Sequence, residues 1–160
     1  MKGFAYLNMF NVAKLNQLAW ESIDPVQRIV LTEKMVDFQR KEEAIGRHAL
    51  PYNLFAAIAV PNYTKAVQTF ALNQTRADEA QIVCALERYR LAHGTYPESL
   101  NELVPQFIDK LPHDIIGGQP LKYRRTTDGQ FLLYSIGWNE ADDGGQLSSY
   151  PYSQGDWGWR

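Results

Sequence analysis

Cysteine is almost missing from this chain: Cys84 is the one thiol among 160 residues, so no disulfide can close within it. Nothing near Cys84 in sequence would lower its pKa, and it is expected to be a small buried residue rather than a nucleophile. Long apolar runs are missing as well. The longest, Leu54 to Val60, falls far short of the roughly 20 residues a membrane-spanning helix needs. Asn8 and Asn11 break the apolar start after Lys2, and no small-residue cleavage site follows, so no cleavable signal peptide is expected. Charge of one sign is absent too. Sixteen basic against eighteen acidic side chains leave a net charge of −2, which offers no electrostatic footprint for nucleic acid or an anionic membrane.

Catalytic signatures are equally scarce. No Gly-x-Ser-x-Gly elbow is present, and His113-Asp114 are sequence neighbours, which cannot form a triad by themselves. That pair reads as a turn between Pro112 and Gly117. His48 and His93 have no partners at metal-ligand spacing. No enzyme and no small-molecule substrate are expected. Internal repeats are also lacking.

What is present suits a globular chain: 45% hydrophobic and 12% aromatic residues are enough for a core. The organising stretch runs from Pro61 to His93 with no further Pro or Gly before Gly94, the start and stop signals of one long helix. Ile82, Ala85, Leu86 and Tyr89 make one apolar face, with Ala80, Cys84 and Leu91 opposite, so cover is expected from two sides. Upstream, Phe4, Leu7, Leu15, Leu18 and Trp20 suggest an amphipathic helix. Asp24-Pro25, with Gln27 three residues after Asp24, predicts the capped start of a second helix carrying Leu31, Met35, Phe38 and Ile45 as far as Gly46. Pro51 interrupts the chain and Asn53 is placed to cap a new start.

Downstream, Gly94-Thr95-Tyr96-Pro97 is a turn, and Ser99 with Glu102 is a capping box opening a short helix over 98–104. Asp128-Gly129 between two apolar runs is the strongest hairpin signal and sets a hairpin over 121–136. Alternation there puts Lys122 and Arg124 on one face and Tyr123 and Arg125 on the other, a solvated sheet surface rather than a nucleic-acid strand. From Gly137 the composition turns to Gly, Asp, Asn, Ser and Tyr, ending with Trp157 and Trp159. The expected class is α+β: a long spine helix on a small antiparallel sheet, preceded by additional helices.

The segments Ala85 to Pro97, Leu103-Val104-Pro105, Lys110 to Asp114, Tyr134-Ser135-Ile136-Gly137 and Gly155-Asp156-Trp157 together resemble the major pseudopilin of bacterial type II secretion, a type IV pilin-like family. Phe55 to Tyr63, with Pro61, is similar to the second half of a pilin-type amino-terminal helix. The family's processing signature is replaced here by Arg47 to Asn53. The resemblance implies a pilin-like domain over 54–160, with 1–53 a helical extension of which Met1 to Gly46 has no counterpart in the family. It also implies a cell-envelope or periplasmic setting, protein partners among its own kind or secretion and pilus subunits, and membrane association only if the chain belongs to a longer protein.

A calcium site in the loop 137–160 is a further implication, and the residues support it. Calcium takes six to eight oxygens from carboxylates and loop carbonyls, and Asn139, Asp142 and Asp143 cluster among glycines with Asp156 able to return from the tail. Aligned through Ser-Ile-Gly, Asn139 stands where the family has a liganding Asp; the carbonyls of Ser135 and Ile136 complete the expected set. A plain solvated Asp-Asp-Gly-Gly turn is the competing reading. Tyr150, Tyr152, Trp157 and Trp159 are read as a partner-binding shelf or as cover for the sheet edge. The function expected from all this is structural, in assembly; the alternative is a soluble protein–protein interaction module that keeps the fold without forming fibres.

Overall fold

The computed structural model describes residues 2–47, 54–59, 63–147 and 154–159. It is a mixed structure of α-helices with small antiparallel sheets, the α+β class expected. Packing divides the chain into two compact units, residues 1–69 and 70–160. The boundary falls inside the long helix, whereas the resemblance divides the chain after residue 53.

In the first unit, α1 (Lys2–Glu21) leads through a tight hairpin, β1 (Ile23–Asp24) and β2 (Ile29–Val30), into α2 (Thr32–Arg47) and the short α3 (Leu54–Ala59). The stripe that α1 buries is Asn8, Leu15 and Ala19, spaced at helical intervals, while Phe4, Leu7 and Trp20 stay exposed. Of the expected apolar stripe, Leu15 is buried and Leu18 half-buried, while Asn8 and Ala19 take the places expected of the others.

Asp24-Pro25 does not start a helix. Asp24 Oδ1 accepts from the amides of Val26 and Gln27, both at 2.9 Å, as an N-cap would, but the bonds close a turn between paired strands. Asp side chains serve turns and helix caps by the same local bond, and Arg28, at φ 56°, sends the chain back into β2. The helix starts eight residues later, at Thr32, where Met35 and Phe38 are buried as expected.

Asn8 is fully buried because it has work on both sides of its amide. Its Nδ2 donates to the Phe4 carbonyl at 3.0 Å and its Oδ1 accepts from the Phe55 amide at 2.8 Å, in the first turn of α3. A side chain 47 residues away thus caps α3; Asn53, expected as the cap, lies outside the described residues. Removing the amide leaves the partly buried Phe55 donor without its cap, so Asn8→Ala is expected to cost about 1 kcal/mol. Urea unfolding followed by far-ultraviolet circular dichroism measures it, and an unchanged midpoint would show that the cap is idle.

The second unit is built on α4 (Tyr63–His93, 31 residues), about 46 Å long at 1.5 Å per residue. Gly94, at φ 83°, ends it, donating its amide to the Arg90 carbonyl at 2.7 Å. The Ser99 and Glu102 capping box forms as expected: Ser99 Oγ accepts from Asn101 N, and Glu102 Oε1 accepts from Ser99 N at 2.9 Å. The helix it opens is a 3₁₀ turn, Leu100–Leu103, with Leu100 and Leu103 buried. The sheet follows in the order β3 (Lys122–Arg125), β4 (Phe131–Ser135), β5 (Trp157–Trp159), all antiparallel.

Ile82, Ala85 and Leu86 of α4 pack into one core with Tyr96, Leu100, Leu103, Leu121 and Leu133, with Tyr89 half-buried against it. That is the expected apolar face. The opposite side is not covered: Cys84 is exposed, and so is Leu91. The expected burial of Cys84 is therefore not met; single apolar side chains commonly face water, and one packed face suffices. No helix among the described residues is long and apolar enough to cross a membrane.

Candidate functional site

The hairpin register places Lys122 opposite Tyr134, and β5 closes on the other edge of β4 with Ser135 opposite Trp157. The loop that leaves β4 must therefore return to the strand it left. Gly137 makes the first bend at φ 70°, where a Cβ would collide with the Gly155 carbonyl; only glycine lets the two chain segments approach this closely.

Asp156 locks the return. Its side chain is fully buried, with Oδ2 accepting from Gly145 N at 2.7 Å and Oδ1 from Asp143 N at 3.3 Å. Its own amide donates to the Gln146 carbonyl at 2.9 Å. Burial raises the Asp156 pKa and the neighbouring charges of Asp143 and Asp142 raise it further, against the pull of the Gly145 and Asp143 amides.

The other expected ligands are held by the loop itself. Asp142 Oδ1 accepts from Gly144 N at 3.1 Å and Tyr134 Oη at 3.0 Å, and Oδ2 lies 3.4 Å from Lys122 Nζ. The Gly144 amide first, and then the Tyr134 hydroxyl, hold the Asp142 carboxyl below its ordinary range. Asn139 Nδ2 donates to Asp143 Oδ2 at 3.0 Å while its Oδ1 accepts from Ala141 N at 3.3 Å. Ser135 is buried, its Oγ accepting from Gly137 N at 3.1 Å, and Ile136 gives its amide to Asp114 Oδ2 at 3.2 Å.

The expected calcium residues thus divide by position. Asn139, Asp142 and Asp143 are exposed oxygen donors of the hard type that suits calcium, and Asp156 and Ser135 are interior braces. Among the described residues no three His, Cys, Asp or Glu side chains converge as a metal-binding group. The loop as it stands is held by amides, Tyr134 and Lys122.

Of the aromatic shelf, Tyr150 and Tyr152 lie outside the described residues. Trp157 is 2% exposed and its ring is stacked on Trp138 at 6.5 Å between centroids, whereas Trp159 is 38% exposed. Sequence reasoning missed three features here: the third strand, the bracing role of Asp114 and the buried Glu79. The first carried a signal in the alternation Trp157-Gly158-Trp159, which puts both aromatics on one face of a strand. Searches of protein-family models, of curated proteins and of solved structures find no match to this chain.

Proposed function

We propose that this chain is a non-enzymatic assembly protein of the cell envelope, resembling the major pseudopilin of type II secretion. The observation that supports the reading is the closure of the carboxyl-terminal segment: Asp156 ties the loop 137–147 to the strand that carries Trp157 and Trp159. A loop pinned in this way presents a fixed surface, with half-exposed Trp159 at the sheet edge, which a neighbouring subunit of its own kind or a secretion or pilus subunit can recognise. Rigid aromatic anchors bind at low entropic cost.

Calcium belongs to this proposal as a ligand of Asn139, Asp142 and Asp143, with Asn139 costing affinity because it supplies an oxygen without a charge. An ion that binds only the folded state stabilises it by mass action. The test is a set of thermal melts with calcium, with EGTA, and with Asp142→Ala plus Asp143→Ala. Saturating calcium is expected to raise the midpoint by a few degrees, roughly 4 °C per kcal/mol for a unit of this size, and the double substitution to abolish the rise. Identical melts in all conditions would remove calcium from the proposal.

A second reading, a protein–protein interaction module without fibre assembly, rests on a different observation: α1 leaves Tyr6, Leu7, Met9, Phe10 and Trp20 exposed. Apolar residues gathered on one exposed helix are partner-binding material. Sedimentation with concentration separates the two readings, since an assembly subunit self-associates and a module for a foreign partner stays a monomer.

A further inference from the structure

Within α4, the run Thr75-Arg76-Ala77-Asp78-Glu79 has the composition of a solvent-facing turn, yet Thr75, Asp78 and Glu79 are all buried. Asp78 has a partner, accepting from Gln74 Nε2 at 3.1 Å. Glu79 is 0% exposed, and neither of its carboxyl oxygens makes a hydrogen bond; Thr75 Oγ1, one helical turn earlier on the same face, makes none either. A native interior rarely leaves such atoms without a reason.

The charged groups that act on Glu79 are Asp114, from the loop after Pro112, and Arg76 and Asp78 from its own helix. Asp114 is 3% exposed and provided with two backbone donors: Ile116 N reaches Oδ1 at 2.9 Å and Ile136 N reaches Oδ2 at 3.2 Å. Burial raises the Asp114 pKa, and the Ser135 hydroxyl, the Ile116 and Ile136 amides and the His113 charge pull against that rise. Two buried carboxyls of one unit cannot both ionise cheaply. Asp114 has the donors that stabilise an anion, and Glu79 has none.

We infer that Glu79, enclosed without a hydrogen-bond donor for either oxygen, stays protonated in the interior of this unit and acts as a latch on α4: this face of the helix stays packed while the proton stays and loosens when the proton leaves. Desolvation first, and the Asp114 charge second, push the Glu79 pKa up to about 8, against the pull of Arg76. At neutral pH the latch is closed. Ionisation would set a second anion against Asp114, and the strain would fall on the amides of Ile116 and Ile136 that Asp114 holds, one in its own loop and the other at the exit of β4. This inference is independent of the assembly reading and of calcium.

The sign follows from linkage. The folded-state pKa of about 8 lies above the ordinary value of 4.5, so the stability linked to this proton is complete below the ordinary value and is lost as pH rises to the folded one. One proton corresponds to about a tenfold fall in the folding constant per pH unit over that span. Between about pH 6 and pH 9, wild-type protein is expected to lose roughly a hundredfold in folding constant relative to Glu79→Gln, read by denaturant unfolding in calcium-free buffer.

Two measurements on the folded state complete the test. The infrared carbonyl band of a protonated carboxylic acid is expected in wild type at neutral pH, absent from Glu79→Gln, and lost from wild type on mild alkalinisation. The amide of Ile136, corrected for intrinsic exchange, is expected to lose protection over the same range in wild type and to keep it in Glu79→Gln. A wild-type protein with no such band at neutral pH overturns the inference even if the variant fails to fold, and so does an equal pH dependence of the two proteins.

Discussion

Leu86→Asp is expected to unfold the unit formed by residues 70–160. Leu86 is 0% exposed and sits among Ile82, Ala85, Tyr96, Leu100, Leu103, Leu121 and Leu133. The substitution forfeits the burial of one leucine, about 2 kcal/mol, and places an unpaired carboxylate among apolar side chains and Tyr96, whose hydroxyl is already given to Glu87. An uncompensated buried charge costs roughly 3–5 kcal/mol. The sum is comparable with the whole stability of a small domain, about 5–15 kcal/mol. Near-ultraviolet circular dichroism should lose its aromatic signal, because Tyr96 and Trp157 are set in that fold. Leu86→Ala supplies the graded case, at about 2–5 kcal/mol. Cooperative unfolding of Leu86→Asp at the wild-type midpoint would mean that this face of α4 is not interior.

The second large effect separates two tryptophans that look alike in sequence. Trp157 and Trp159 belong to the same three-residue strand, paired to Ser135 and Leu133 of β4. Trp157 is buried and Trp159 is not. Trp157→Ala removes a large interior side chain and its contact with Trp138, and is expected to cost about 3–5 kcal/mol. Trp159→Ala should stay within about 0.5 kcal/mol, as surface substitutions do. If Trp159 serves a partner, its loss should weaken association without moving the melting temperature. Equal destabilisation by both substitutions would show that Trp159 is as interior as Trp157, leaving no aromatic there for a partner.

The features legible in the sequence were those whose chemistry closes within a few residues. Ser99 and Glu102 find each other's backbone three positions apart, Gly94 takes the left-handed conformation that ends α4, and Asp128-Gly129 turns β3 into β4. Even the misread Asp24 made the bonds expected of it, to the next amides along. What differed was whether a helix or a strand lay beyond, which those bonds do not encode.

The candidate loop was legible in part for the same reason. The residues Asn139, Asp142 and Asp143 mark a polar turn by composition, but their division from Asp156 depends on burial, and burial depends on β5 returning to β4. The apolar pattern of α4 was also an incomplete guide. Ile82, Ala85 and Leu86 were found inside, while Leu91, equally apolar, faces water. Glu79 went unseen because a glutamate in a helix is ordinarily solvated, and only tertiary packing makes its position an interior one.

The amino-acid sequence by itself determined the α+β class, the long helix, its stop, the capping box and the hairpin, since each is set by backbone hydrogen bonds and side-chain periodicity over short separations. Tertiary structure alone decided that Asn8 caps a helix 47 residues away, that Trp157 is core and Trp159 is surface, and that Glu79 and Asp114 share an interior. Those outcomes depend on which distant groups exclude water from one another, and a linear pattern carries no record of that.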